Sequence, residues 1–536
     1  MERSKIKLIV IFILLISVKI YSQGLFVHYE HPVYSFLERM EAYGLIENYN
    51  NEIKPLMRSK IVDYLTEIFD KRFNLNETDR EFLNYFIDEF YFDLTGRLDK
   101  YEILFGSEKY SPLSNKEKFT YAYADNLFSL FVKSHLNFSS ISPKEQKSAQ
   151  LFEGGGRIYG SLKKSLGFEI DGKNGYVFGD KSTALRLHDL SYNFKLNEKS
   201  ENRFFDRSYG YISFEVPNFF LSIGKNRQTI GYGINKLILS DLSPDFDKIN
   251  MNINYKSFSF DFTHGWLQNS KFPSDFSLFS KYFVHHRISF AIKNLRFGIG
   301  ESVIYVRTSP ELSYLNPFNF YKSVEHQLQD KDNALLYLDL ELLPFRNIRF
   351  YSTFLIDDID FSKIGKHWYG NKTALNLGTR FYSSINAIPV DFQFEYTRIE
   401  PYTFTHRFEN SNYTNFDLPL STEQPPNSYQ FDFAINVDFS PRFNIISNLS
   451  YTKWGKNYLT NEGFVNVGGD INAGKQIYDS DRVTFLDGKI ETIYKLNLKM
   501  TYEIVRNIKI NASLNSSKFS SGSSSLILLI GLISFL

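Results

Sequence analysis

The stretch YQFDFAINVDFS, residues 429–440, places its large apolar side chains two apart. Tyr429, Phe431, Phe433, Ile435, Val437 and Phe439 alternate with Gln430, Asp432, Ala434, Asn436, Asp438 and Ser440. Successive side chains of an extended strand point to opposite faces, so this segment reads as a strand with one dry and one wet face. The same period returns at Phe258, Phe260 and Phe262, at Leu496, Leu498, Met500 and Tyr502, and at Ile508, Ile510, Ala512 and Leu514.

A soluble sandwich would also alternate, but three further features point to a membrane barrel. The polar face carries Asp, Lys, Asn and Gln from about residue 118 to the end, with no domain-linker composition between. The strands run about 9–12 residues, the span that a tilted membrane strand needs. The connections alternate between tight and long. Tight ones are Lys293-Asn294-Leu295-Arg296, Pro344-Phe345-Arg346-Asn347, Asn386-Ala387-Ile388-Pro389, Ser440-Pro441-Arg442 and Val505-Arg506-Asn507; long ones lie at 306–334, 357–372, 399–428 and 454–488. Outer-membrane barrels have short periplasmic turns and long outer loops.

We count about 18 candidate strands, and closure with both termini on the periplasmic side requires an even number. The turn pattern is regular from residue 284 onward. Upstream, Pro217-Asn218 has the form of a tight turn but falls out of step, so one strand before residue 265 is miscounted. The C-terminal run Leu526–Leu536 suits a strand, and Ile533-Ser534-Phe535-Leu536 resembles an aromatic-ended final barrel strand.

The N-terminal region has a different period. Val33, Leu37, Met40 and Tyr43 share a helical stripe that Gly44 can close. Ile61, Leu65, Ile68 or Phe69, and Phe73 form a second stripe, and Leu83, Phe86, Ile87 and Phe90 a third, with Asn76 as a candidate N-cap. Ahead of these, Arg3, Lys5 and Lys7 precede the apolar run Leu8–Val18, and Ser22 offers a cleavage site, so residues 1–22 read as a secretory signal. The expected architecture is an all-β transmembrane barrel of 16–18 antiparallel strands over 118–536, with a small periplasmic helical bundle over 23–117.

Composition narrows the function. The 536 residues hold 61 Lys and Arg against 60 Asp and Glu, which gives no support to nucleic acid as a partner. Seventeen per cent of the residues are aromatic, which excludes a disordered chain. Cysteine is absent, which removes disulfides, thiol catalysis and thiolate metal sites. Gly154-Gly155-Gly156 reads as loop and not as a phosphate cradle. In His285-His286-Arg287 only one imidazole can enter the lumen, which argues against a metal there. Asp357-Asp358-Ile359-Asp360 lacks the glycine and terminal glutamate of a calcium loop and reads as solvated outer loop. No nucleophile elbow marks a hydrolase. We therefore expect no enzyme, no cofactor and no metal.

The long loops hold the candidate binding residues. His406, Arg407, Tyr413, Asn415 and Asp417 fall in one, and Trp454, Tyr458 and Asp470 in another. Aromatic rings stack on a sugar's apolar face, while Asn, Asp and Gln bond to its hydroxyls. Glu395, Arg398, Asp432 and Asp438 are expected to face the lumen.

Six stretches, in order, resemble the Wzi family of capsule-assembly proteins. They are HPVYSFLERMEAYGLIENYNNEIKPLMRSKIVDYLTEI (31–68), YGINKLILSDLSPDF (232–246), YFVHHRISF (282–290), YLNPFNFYKSVEH (314–326), DNALLYLDLELLPFRNIRFYSTFLIDDIDF (332–361) and FEYTRIEPYTFTHRF (394–408), in the manner of Bacteroidetes-type members. The resemblance implies an 18-stranded barrel in outer-membrane lipid that holds capsular or other surface polysaccharide, with an export-machinery partner on the periplasmic side. A general diffusion porin is the alternative expectation.

Overall fold

The computed structural model describes residues 23–106, 109–196, 200–269 and 279–535; the expected signal peptide lies outside them. Eighteen long antiparallel strands form a closed barrel. They are β1 (Phe128–Pro143), β2 (Ala149–Leu162), β3 (Leu166–Gly179), β4 (Phe204–Val216), β5 (Phe219–Asn226), β6 (Phe246–Tyr255), β7 (Phe258–Leu267), β8 (Ser280–Ile292) and β9 (Leu295–Arg307). The second half continues with β10 (Asn333–Phe345), β11 (Ile348–Asp358), β12 (Lys372–Ile385), β13 (Ile388–Ile399), β14 (Ser428–Ser440), β15 (Phe443–Lys456), β16 (Lys489–Val505), β17 (Ile508–Phe519) and β18 (Ser524–Phe535). Each pairs with its sequence neighbour, and β18 closes on β1 from Ile527↔Pro143 to Phe535↔His135. Closure removes the sheet edges, which hydrocarbon cannot tolerate.

All five predicted tight turns lie at one end of the barrel. Pro217-Asn218 joins β4 to β5 at that same end, and with β1–β7 in place it is in step. Asn386 and Ala387 both have positive φ, the geometry of a two-residue hairpin that matches strand twist. Gly154-Gly155-Gly156 is not loop. It lies inside β2, where a Cβ on Gly155 would overlap the Gly172 carbonyl of β3. Backbone approach requires glycine at 155, and glycine-rich composition alone does not distinguish that from a turn.

The faces divide as alternation requires. Phe138, Phe152, Ile170, Ile212, Leu338, Phe394, Phe431, Leu498 and Leu528 point outward and are exposed, forming the band that meets lipid. Inward-facing Asp261, Arg287, Asp339, Glu341, Asn376, Asp391 and Thr397 are buried.

What buries them is the protein itself. Helix α1 (Val33–Ala42) sits in the tight-turn mouth, followed by α2 (Arg58–Asp70) and α3 (Glu77–Glu89). Asn76 caps α3 by accepting from the Asp79 N–H. From the other end, loop 227–245 folds into the lumen and meets the N-terminal segment there, with Ile53↔Ile230 and Lys54↔Thr229 paired. Loop 400–427 folds in beside it. Leu237, Ile238, Leu239, Phe404, Tyr413 and Leu420 form one apolar core with the inward-facing Phe283, Ile304, Leu335 and Leu355.

One long loop folds the opposite way. Residues 308–332 lie down the outside of the wall, with Tyr314 and Tyr321 packed on the outward-facing Phe260, Phe262, Tyr282, Val284, Val303 and Tyr305. The outward Glu301 accepts from the Tyr321 and Lys322 N–H groups at 2.8 and 3.0 Å, and it contacts His286 at 2.9 Å. Leu312, Phe318 and Phe320 of this strap are exposed and continue the apolar outer surface.

Candidate functional site: a plugged lumen and an outer-loop platform

Charge ties the plug to the wall. Glu41 of α1 pairs with Arg296 of β9 and, at 2.7 Å, with Arg349 of β11; Glu341 of β10 pairs with the same two arginines. Glu38 lies 2.5 Å from Arg380 and 3.1 Å from Lys54. Arg39 reaches Asp438 at 2.7 Å and Asp79 at 2.9 Å. Arg287 of β8 is shared by Asp339 and by Glu52, which enters with the N-terminal segment. Apart from the half-buried Lys54 and Arg380, all of these groups are buried, where an ion pair persists only if its members stay matched. Burial alone would raise the Glu38 carboxyl, but Lys54, Arg380 and Arg349 reverse that and hold it at about 2. Glu117 is likewise held at about 2: burial opposes, and Lys133 and Arg506 prevail.

Three of the four residues expected in the lumen are there. Glu395 accepts from the Ile234 and Asn235 N–H groups and from Tyr351 Oη at 2.6 Å. Asp432 accepts from Asn235 Nδ2 at 2.7 Å, and Asp438 faces Arg39. Arg398 does not join them. It is one residue off the inward set of Glu395 and Thr397, so it points outward, with its guanidinium over the Phe485 ring and paired to Glu400.

The histidine pair splits as strand geometry demands. His285 is inward, 2.8 Å from Tyr337 Oη, and His286 is outward under the strap. Asp357 is not solvated loop. It is buried at the end of β11, accepts from the Phe404 N–H at 2.6 Å and lies 3.5 Å from Lys372.

The eight loop residues fall into two groups. Tyr413 and Asn415 are fully buried in the plug; Asn415 accepts from the Gln268 N–H and donates to the Pro244 carbonyl. Sequence composition could not distinguish an in-folded loop residue from a displayed one. His406, Arg407, Asp417, Trp454, Tyr458 and Asp470 lie on the outer platform that loop 400–427 makes with loop 457–488. Tyr402 N–H donates to the Gly468 carbonyl at 2.9 Å, and Asn472 Nδ2 to the Asp417 carbonyl at 3.1 Å, which locks the two loops together. Trp454 donates its Nε1–H to the Gly469 carbonyl, so one edge of the ring is engaged. Burial, helped by Lys372 and Arg407, lowers His406 to about 4, so its ring is neutral at pH 7. The platform also displays Phe408, Leu459, Phe464 and Tyr478.

The family model of the capsule assembly protein Wzi matches residues 135–520. The chain belongs to the Wzi family. Among solved structures, it is similar to one described as Wzi, an outer membrane protein involved in group 1 capsule assembly in Escherichia coli and a carbohydrate-binding β-barrel. The TM-score is 0.59 at 12% identity, covering 95% of this chain and 98% of that one. Pseudomonas aeruginosa OprD matches at TM-score 0.44 and 11% identity, over 79% of this chain and 97% of that one. OpdK with vanillate, from the same organism, matches at 0.44 and 11%, over 76% and 98%. No curated protein matches. For this Wzi-family barrel, the closed ring and the exposed apolar band fix an outer-membrane location, with the tight turns on the periplasmic side.

Proposed function

We propose that this barrel is a non-enzymatic anchor that holds exported capsular or other surface polysaccharide at the outer membrane. The observation that carries the reading is the filled lumen. A diffusion porin needs an open bore, whereas here α1 is tied into the wall by buried ion pairs, loop 227–245 by its hydrogen bonds to Glu395, and loops 227–245 and 400–427 by the apolar core they share with the wall. Membership of a capsule-assembly family supports the reading, as does the carbohydrate binding described for the Escherichia coli barrel.

The glycan surface is the outer platform. Arg407, Asp417 and Asp470 offer hydrogen-bonding charge beside His406, while Trp454 and Tyr458 offer rings for stacking. The export-machinery partner belongs at the other end, on the periplasmic helices. There Phe69 and Phe73 of the α2 region are exposed around Arg72, whose guanidinium lies 4.2 and 4.8 Å from their rings.

The test is retention of purified surface polysaccharide by the refolded barrel. Arg407→Ala combined with Tyr458→Ala and Asp470→Ala should weaken retention by about tenfold or more, since a few central contacts carry most of such an interface. Equal retention by the triple variant would remove the platform from the account.

A further inference from the structure

The outward face of the barrel is not evenly rounded. Across β11–β17 it carries an oblique groove with a cavity volume of about 860 Å³. The ladder register gives its course. Tyr396↔Phe431, Phe431↔Tyr451, Tyr451↔Tyr494 and Tyr494↔Lys518 form the upper row. Phe394↔Phe433, Phe433↔Leu449 and Leu449↔Leu496 form the lower row. Cross-strand partners share a face, and Phe394, Phe431, Leu449 and Tyr494 are exposed, so both rows point out of the barrel. The groove descends from Lys518, one residue short of the outer end of β17, to Phe350, two residues in from the tight-turn end of β11. Six strand spacings make it roughly 29 Å long.

Its depth in the membrane follows from β16. Tyr494 and Tyr502 both point outward there and both are exposed. Their separation is roughly 27 Å along a strand, or about 20 Å of depth at the tilt of such barrels. Tyrosine rings gather at the two headgroup levels. The Lys518 end of the groove therefore lies among the outer headgroups and the remainder lies in hydrocarbon.

The two banks differ in charge. The periplasmic-side bank follows Phe381↔Phe392, Phe392↔Ile435, Ile435↔Ser447 and Ser447↔Leu498, and it carries none. The outer bank follows Arg398↔Tyr429, Tyr429↔Lys453 and Lys453↔Thr492. Arg398 is matched by Glu400 at 2.6 Å. Lys453 and Lys518 have no carboxylate within ion-pair distance among the described residues. Carboxylates of the same rim are engaged elsewhere: Glu491 with Lys456 at 2.6 Å, Glu423 with Lys495 at 3.0 Å, and Asp487 with the Thr484 N–H at 2.6 Å. Past Lys518, a second depression beside Ser516, Ser524 and Leu526 adds Lys144 and Arg186 against Glu145.

An apolar channel with unmatched cations at one end only fits an amphiphile with an anionic head. A second copy fits it poorly. Two barrels in one membrane share an orientation, so a two-fold contact over this face would set Lys453 and Lys518 against their own duplicates.

We propose that the groove holds a phosphorylated, net-anionic lipid of the outer leaflet. Its phosphate lies between Lys453 and Lys518, and an acyl chain follows the lower row past Leu449 and Phe394 toward Phe350. The two lysines flank β16 from either side, roughly 12 Å apart at the backbone. That gap is one that two extended lysine side chains close around a phosphate. The assignment is independent of the polysaccharide reading.

Native mass spectrometry of the refolded barrel in a neutral detergent tests it. Wild type should retain one dioleoylphosphatidylglycerol about tenfold or more tightly than dioleoylphosphatidylcholine, because each lysine near an anionic head adds to binding. Lys453→Gln with Lys518→Gln should abolish that preference. Leu449→Trp fills the groove and leaves its charge alone; it should weaken retention about tenfold. The heat-modifiable gel shift shows whether both variants are closed barrels. Dihexanoylphosphatidylglycerol, with the same head and short chains, should bind about tenfold or more weakly than the dioleoyl lipid. Equal retention of the two dioleoyl lipids would overturn the proposal, as would an unchanged preference in the double lysine variant. Full retention by Leu449→Trp, or dihexanoyl binding as tight as dioleoyl, would reduce the site to a headgroup contact and overturn the groove. A barrel dimer that displaces the lipid would assign the face to a second copy and overturn it too.

Discussion

Glu41 on α1 and Arg349 on β11 face each other at 2.7 Å, 308 positions apart in sequence and both shut off from solvent. The pair joins the periplasmic helices to the barrel wall, and Arg296 shares the same carboxylate. Glu41→Ala would leave two guanidinium groups with only Glu341 between them. Breaking a buried pair from one side costs about 3–5 kcal/mol. We expect the variant to keep the gel shift of a closed barrel while residues 33–42 gain protease sensitivity. Intact protection of that helix would contradict the role assigned to the pair.

Acid should release the same end. Glu38 and Glu117 are held at about 2, below the ordinary value of 4.5 that the unfolded chain shows. A depressed carboxyl stabilises fully above its unfolded value and loses that contribution as pH falls toward its folded one. The window is therefore pH 4.5 down to 2, with Glu38 contributing on the order of 3 kcal/mol at neutral pH. Hydrogen-exchange protection of α1, corrected for intrinsic rate, should drop across that window. Protection that holds from pH 6 to pH 2.5 would contradict the assignment.

Gly233 has φ +74°, and a Cβ there would collide with the Glu395 carboxylate and the Tyr351 ring. Gly233→Ala should therefore unseat loop 227–245 from its Glu395 anchor. Bilayer recordings should show new conductance steps in the variant that the parent lacks. A silent variant would mean that the loop does not seal the bore.

The strap outside the wall depends on Glu301, which accepts from two backbone N–H groups at the start of its helix Tyr321–Gln327. Glu301→Ala leaves those donors and His286 without their acceptor, at a cost of about 1–3 kcal/mol for the lost bonds. Limited proteolysis should cut within 308–332 in the variant and spare it in the parent.

Much of this molecule is legible along the chain because its rules are local. Period-two alternation places β14 and β16 on the correct faces, Asn76 announces the start of α3, and two-residue turns such as Asn386-Ala387 mark the periplasmic end. The reading errs where one residue of parity decides a face, as for Arg398. It errs also where composition has two meanings, as for the glycines inside β2. The folding of long loops is not local. Loop 400–427 goes inward and buries Tyr413 and Asn415, while 308–332 goes outward over the wall. Only the packing partners, Phe283 and Leu355 for one and Phe260 and Tyr305 for the other, decide that direction.

A polysaccharide-holding barrel with a filled lumen predicts the outcome of one paired measurement on the purified protein: retention of surface polysaccharide alongside conductance in planar bilayers. It predicts glycan held on the protein and a membrane that stays electrically tight. Steady open-channel current from a protein that lets the glycan wash through would contradict it.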